Sequence, residues 1–163
     1  MNTKSLSKER PAFLTVLCII SYVGLGMKIL NSISGAIFGL YASYFETFIR
    51  DFVNQNIVFN EIPENVRYFI IDSLRIFYKA MEHATSMSLL TLVLSVAALF
   101  GVIMMWQLKK AGFYLYTGSK VFTILVPVIF LGFNLFTVIA VTSAGSFALI
   151  FIVLYAVNLK HMN

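Results

Sequence analysis

Lys28 and Lys120 are the two charged side chains that fall inside the long apolar stretches of this chain. A charge in hydrocarbon is costly, so such a residue reaches for water, pairs with an opposite charge, or meets a ligand. Lys28 follows Pro11 by seventeen residues, which is ~25 Å along a helix. That places it near the far membrane interface, where its aliphatic stem lets the ammonium snorkel to water or pair with a loop acid. Lys120 lies ~12 Å inside its helix, one turn beyond Tyr116. It is deep for snorkelling, and the other uses for it are contact with a lipid phosphate or with a partner subunit.

The rest of the ionisable inventory excludes much chemistry. Six of the seven acids fall between residues 42 and 83, the seventh is Glu9, and none lies in an apolar stretch. Proton-coupled antiporters and pumps need an intramembrane carboxylate that binds and releases a proton. There is no HExxH pair, nucleophile elbow or Gly-rich phosphate loop. His83 beside Glu82 and His161 in the tail are too far apart to share a metal. Cys18 is the single cysteine, so no intrachain disulfide or cysteine metal site forms. Its neighbours Leu17, Ile19 and Ile20 mark it as a small apolar residue of a span. The sequence therefore points to no catalytic, cofactor-binding or metal-binding residues, and to a protein that is not an enzyme.

Composition explains this poverty. Of 163 residues, 60% are hydrophobic and 12% charged, against about a quarter charged in soluble domains; the mean hydropathy is +0.88. The net charge of +5 is not gathered into a run, which excludes nucleic acid as the partner. The spacing of apolar runs predicts an all-α polytopic membrane protein of four transmembrane helices in a single domain, residues 1–163. The first span is expected over about residues 11–41. Basic residues before an apolar run also describe a signal peptide, but the apolar stretch resumes beyond Lys28, as in an uncleaved anchor. The second is expected over about 84–108, with Trp106 beside Lys109 and Lys110 at an interface. The uncharged run from Val121 to Leu159 is too long for one span at ~1.5 Å per residue. It is divided into helix 3, about 112–132, and helix 4, about 140–158, with Gly132-Phe133-Asn134 as one turn candidate.

The loop of residues 42–83 carries two amphipathic stretches. Phe45, Phe48, Ile49, Phe52 and Val53 recur at helical spacing, as do Val66, Phe69, Ile70, Leu74, Phe77 and Met81. Joined by Asn60-Glu61-Ile62-Pro63, they suggest an extracytoplasmic amphipathic helical hairpin between helices 1 and 2. It either stands upright on those helices or lies flat on the membrane surface. Tyr68 and Tyr78 on its flanks join Lys28 and Lys120 as candidate contacts to a partner or to lipid. Small residues give a second signal. Asn31, Gly35 and Gly39 share one ridge of helix 1, and Ala140, Ala144 and Ala148 one of helix 4; such ridges allow close helix packing.

The segment RPAFLTVLCIISYVGLG, the stretch KKAGFYLYT and the ending YAVNLKHM resemble parts of small uncharacterised four-pass inner-membrane proteins of Bacteroidetes bacteria. The resemblance covers about a fifth of the chain, implies an inner-membrane location, and carries no activity. The functional expectation is a non-enzymatic accessory or scaffold subunit that binds other membrane proteins, with membrane lipids around it and oligomers open to it. The alternative is a small transporter or lipid-binding protein with Lys28, Asn31 and Lys120 along a polar path.

Basic residues set the expected topology. Lys4, Lys8 and Arg10, then Lys109 and Lys110, then Lys160 fall on one side of an even-pass chain, and the positive-inside rule makes that side cytoplasmic. A reporter active only in the cytoplasm should therefore work when fused after Asn163 or in the Lys109–Lys110 loop, and fail at Asn60. Activity at Asn60 reverses the orientation.

Overall fold

In lipid no water is present to bond exposed backbone groups, so a spanning segment satisfies them internally as a helix. The computed structural model describes residues 11–56 and 63–162, and among them every regular element is helical. The elements are α1 (Ala12–Asn56), α2 (Glu64–Glu82), α3 (Ala84–Trp106), α4 (Ala111–Leu131) and α5 (Leu135–Asn158), followed by a 3-10 turn at Leu159–His161. Four stretches are long and apolar enough to cross a membrane: Ala12–Ala42 of α1, and α3, α4 and α5. The chain is a multi-pass helical membrane protein. Lys4, Lys8, Arg10 and the Asn60-Glu61-Ile62 turn lie outside the described residues.

One span boundary differs from expectation. α5 begins at Leu135, five residues before the expected start near Ala140. Gly132 turns the chain at a φ of 75°, a conformation glycine adopts without strain. Asn134 then caps α5, its side-chain oxygen accepting from the Thr137 N–H at 2.9 Å, which satisfies one of the free donors of the first turn. The first span, Ala12–Ala42, ends where expected, and the first amphipathic stretch continues it as unbroken helix to Asn56, 45 residues in all or about 67 Å at helical rise. No Gly or Pro interrupts it beyond Gly39, and the Glu46–Arg50 ion pair bridges one turn of the extension.

α2 does not simply prolong α3. His83 breaks the two, accepting a helical bond from Met87 at 2.9 Å while lying outside both helices. Beyond that break α2 leans over the end of the bundle. His83 rests on Phe130 at 5.6 Å between ring centroids, and Phe69 on Phe136 of α5 at 6.3 Å. Nearer α3, Arg50 of α1 stacks over the Tyr78 ring at 5.5 Å. The two amphipathic faces do not bury one another: Phe45 is 52%, Phe48 68% and Phe69 57% exposed. α2 packs most on α1 and more lightly on α4, and it touches α5 through Phe69 and Phe136.

Within the spans, α3 is central and packs on α1 and α4, whereas α5 packs on α4 and meets α1 more sparingly. Only 6% of the most apolar window of α5 is buried by protein, against 28% for α1. Glycines explain the tight pairs. A Cβ added at Gly101 of α3 would meet the Gly112 carbonyl oxygen and the Tyr116 backbone nitrogen of α4, each at 2.8 Å. One added at Gly112 would meet the Met105 backbone nitrogen at 2.7 Å. Gly39 of α1 similarly faces the Thr85 backbone nitrogen at 2.5 Å and Gly35 the Ser88 hydroxyl at 2.5 Å. The largest buried cluster lies toward the Trp106 end, where Leu14, Leu17, Cys18, Leu25, Val102, Met105, Tyr116 and Tyr155 meet.

Backbone neighbours cannot rotate away, so Gly112→Ala should cost about 1–3 kcal/mol by overpacking. Gly118 has nothing within 4 Å of a would-be Cβ, and Gly118→Ala should be neutral or gain up to ~1 kcal/mol of helix propensity. Thermal unfolding in mild detergent reads both. Equal tolerance of the two substitutions would mean that α3 and α4 are not held at this crossing.

Candidate functional site

The sparse contact between α1 and α5 leaves a cavity of about 530 Å³ among the spans. Its walls are mostly apolar. Ile20, Gly24 and Leu25 come from α1, Met87 from α3, Ile124 and Pro127 from α4, and Ala144, Phe147 and Phe151 from α5. Lys28 and Lys120 both line it, with the hydroxyls of Ser21, Thr91 and Thr123. The lining reaches Met87 and Ala140, each within about a turn and a half of the α2 end of its helix.

Toward the Trp106 end the cavity has a floor. The Tyr155 hydroxyl donates to Ser21 Oγ at 2.8 Å, with the Leu17 carbonyl oxygen at 3.3 Å. The Tyr116 and Tyr155 rings meet edge to face, their centroids 5.2 Å apart, a favoured aromatic geometry. This small network ties α1, α4 and α5 together where α1 and α5 otherwise diverge. It also explains why two tyrosines tolerate full burial: the polar end of Tyr155 has a partner.

The lysines sit above that floor. Lys120 Nζ lies 5.3 Å from the centre of the Tyr116 ring, a cation–π contact. Lys28 is half-buried and lines the same cavity as Lys120. Among the described residues neither has an ion-pair partner, and no span contains an acid. Lys28 lies on the part of α1 that lines the cavity. Pro127 lacks the N–H that would bond the Thr123 carbonyl, so the α4 wall also offers an acceptor.

The remaining sequence candidates are dispersed. Asn31 is exposed and outside the cavity lining, although Gly35 and Gly39 on its ridge pack within the bundle against α3. Ala140, Ala144 and Ala148 all line the cavity; Ala148 is buried and the other two are exposed. They form a wall rather than a close helix crossing. Tyr68 is exposed, its hydroxyl donating to Glu64 at 3.2 Å, while Tyr78 is half-buried beneath Arg50. The roles of Tyr155, Ser21 and Phe147 were not legible. The one available signal was the Tyr116–Lys120 spacing, which puts a ring and a cation on one face of α4.

The fold and the cavity define a multi-pass helical membrane protein with a cationic pocket inside its spans. Comparison with protein-family models, with curated proteins and with solved structures returns no match.

The floor gives a test of its own. Tyr155→Phe removes one buried hydrogen bond and should lower stability by about 0.5–1.5 kcal/mol. Tyr155→Ala removes the ring that joins α5 to α4 and should cost about 3–5 kcal/mol. Thermal unfolding in detergent should give that order; an unaffected Tyr155→Ala would show that α5 is anchored elsewhere.

Proposed function

We propose that the protein binds an amphipathic, lipid-like ligand in the cavity between α1 and α5, as a small lipid-binding or transport protein of the bacterial inner membrane. The observation that carries this reading is the cavity itself: apolar walls, two cations without carboxylate partners among the described residues, and one side formed by a weakly attached helix. Pockets of ~300–1,000 Å³ with apolar linings and a few convergent polar groups are the usual form of a small-molecule site. The basic residues of the Trp106 end support cytoplasmic termini, with the α1 extension and α2 on the outer side as a helical cap.

A second reading has its own observation. Phe45 and Phe48 of the α1 extension and Phe69 of α2 expose apolar area of the kind that marks contact with a protein or a membrane. An accessory or scaffold subunit would use that surface, with Tyr68 among its contacts, and would have no use for the cavity.

Cavity filling separates the two. Full-length protein in vesicles of phosphatidylcholine with a photoreactive acyl chain should crosslink at half-buried cavity residues such as Thr91 and Ile124. Ala144→Phe should reduce that labelling about tenfold, the equivalent of ~1.4 kcal/mol. Val153→Phe, on the same helix but outside the cavity lining, should leave it unchanged. Wild-type labelling in Ala144→Phe, combined with loss of co-purifying membrane proteins in Tyr68→Ala, would replace the ligand reading by the scaffold reading.

A further inference from the structure

We infer that the ligand of the α1–α5 cavity is an amphiphile whose headgroup is a phosphate monoester, held between Lys28 and Lys120 with its chain along Ile20, Phe147 and Phe151. The inference rests on the ligand-binding reading above and adds the headgroup class to it. Lys28 of α1 and Lys120 of α4 line one cavity of about 530 Å³. The spans supply no carboxylate to offset them. An isolated charge in apolar surroundings is stabilised chiefly by pairing and hydrogen bonding. The anion that matches two lysines carries close to two charges.

Phosphate monoesters do so, with a charge of about −1.5 to −2 at neutral pH and three strong acceptor oxygens. A carboxylate or a phosphodiester supplies one charge and leaves the second lysine unmatched. Each ammonium presents three donors and no acceptor, so two lysines converging on one phosphate form several charge-assisted bonds. The Thr91 hydroxyl lines the same cavity and extends the donor set, whereas the Thr123 hydroxyl already donates to the Ser119 carbonyl at 2.7 Å.

The walls argue for an attached chain. Leu25, Ile20, Ile124, Phe147 and Phe151 give no partner to a hydrated ion. Phe147 is 70% exposed on the bundle surface while lining the cavity, so a chain lying on it passes continuously from pocket to bilayer. The Tyr116–Tyr155–Ser21 floor blocks the Trp106 end. The headgroup therefore enters sideways between α1 and α5 or from the α2 end.

The test uses purified full-length protein in mixed micelles, with native mass spectrometry counting bound lipid. Phosphatidic acid, phosphatidylglycerol and diacylglycerol with identical chains carry a monoester, a diester and no phosphate. Phosphatidic acid should be retained at least about tenfold better than either of the others, since only its headgroup brings close to two charges to the two lysines. Lys28→Met and Lys120→Met should each bring phosphatidic acid down toward the diacylglycerol level, and Lys28→Arg should keep most of the preference. Inorganic phosphate at millimolar concentration should not displace the lipid. Equal retention of all three lipids, or a preference that survives both methionine variants, overturns the headgroup assignment while leaving the cavity reading intact. Displacement by inorganic phosphate alone assigns the site to free phosphate and overturns the amphiphile. If none of the three lipids is retained, the ligand-binding reading itself fails.

Discussion

Between helices surrounded by lipid there is no hydrophobic drive to associate, so a membrane bundle is held where backbones come close enough for dense van der Waals contact. Here that condition is met at two places. Gly101 and Gly112 bring α3 and α4 to backbone contact, and Gly35 and Gly39 bring α1 onto Ser88 and Thr85 of α3. The result is a rigid slab in the order α1, α3, α4. α5 has no such crossing: Gly145 faces nothing within 4 Å, and its alanine ridge borders the cavity. It is fixed instead by aromatic and hydrogen-bonding contacts near one end, through Tyr155, and by the short capped turn at Asn134. A helix pinned in that way stands off from α1 along much of its length, and the cavity is the space that remains.

The position of the lysines follows from the same geometry. Lys28 and Lys120 belong to the two outer helices of the slab, and both project into the gap that α5 incompletely covers. In a bundle with a tight α1–α5 crossing they would be forced together in a dry interior at a cost of several kcal/mol per charge. In this bundle they border a space with hydroxyl groups and an opening to the surroundings. The same looseness that weakens α5 thus provides room for two cations that no ion pair among the described residues neutralises.

How much of this was legible in the sequence depends on range. Apolar run length and the charge-free interval from Val121 to Leu159 are local signals, and they deliver the number and type of spans. Gly132-Phe133-Asn134 also carried its turn locally, through a positive φ and a side-chain cap; placing α5 later came from weighing span lengths instead of the cap. The amphipathic pattern of residues 42–83 announced helices but not their partners, since periodicity says which face is apolar and not what covers it. The tilt of α2 depends on a break at His83 and on Phe69 finding Phe136, contacts distant in sequence. For the site, intramembrane charge singled out Lys28 and Lys120 individually. That they share one cavity depends on which way α1 and α4 are rotated, which the glycine crossings on α3 decide. Asn31, three residues from Lys28, points elsewhere for the same reason.

The central claim is that the two lysines are completed by a phosphate brought from the bilayer. Solid-state magnetic resonance can measure it directly, through dipolar recoupling between lysine side-chain 15N and lipid 31P in bilayers containing phosphatidic acid. The account predicts strong dephasing of both the Lys28 and Lys120 resonances, assigned by their loss in the corresponding methionine variants, and a common phosphorus partner for the pair. Dephasing confined to lysines outside the spans, such as Lys109 and Lys110, with Lys28 and Lys120 unaffected, would contradict it.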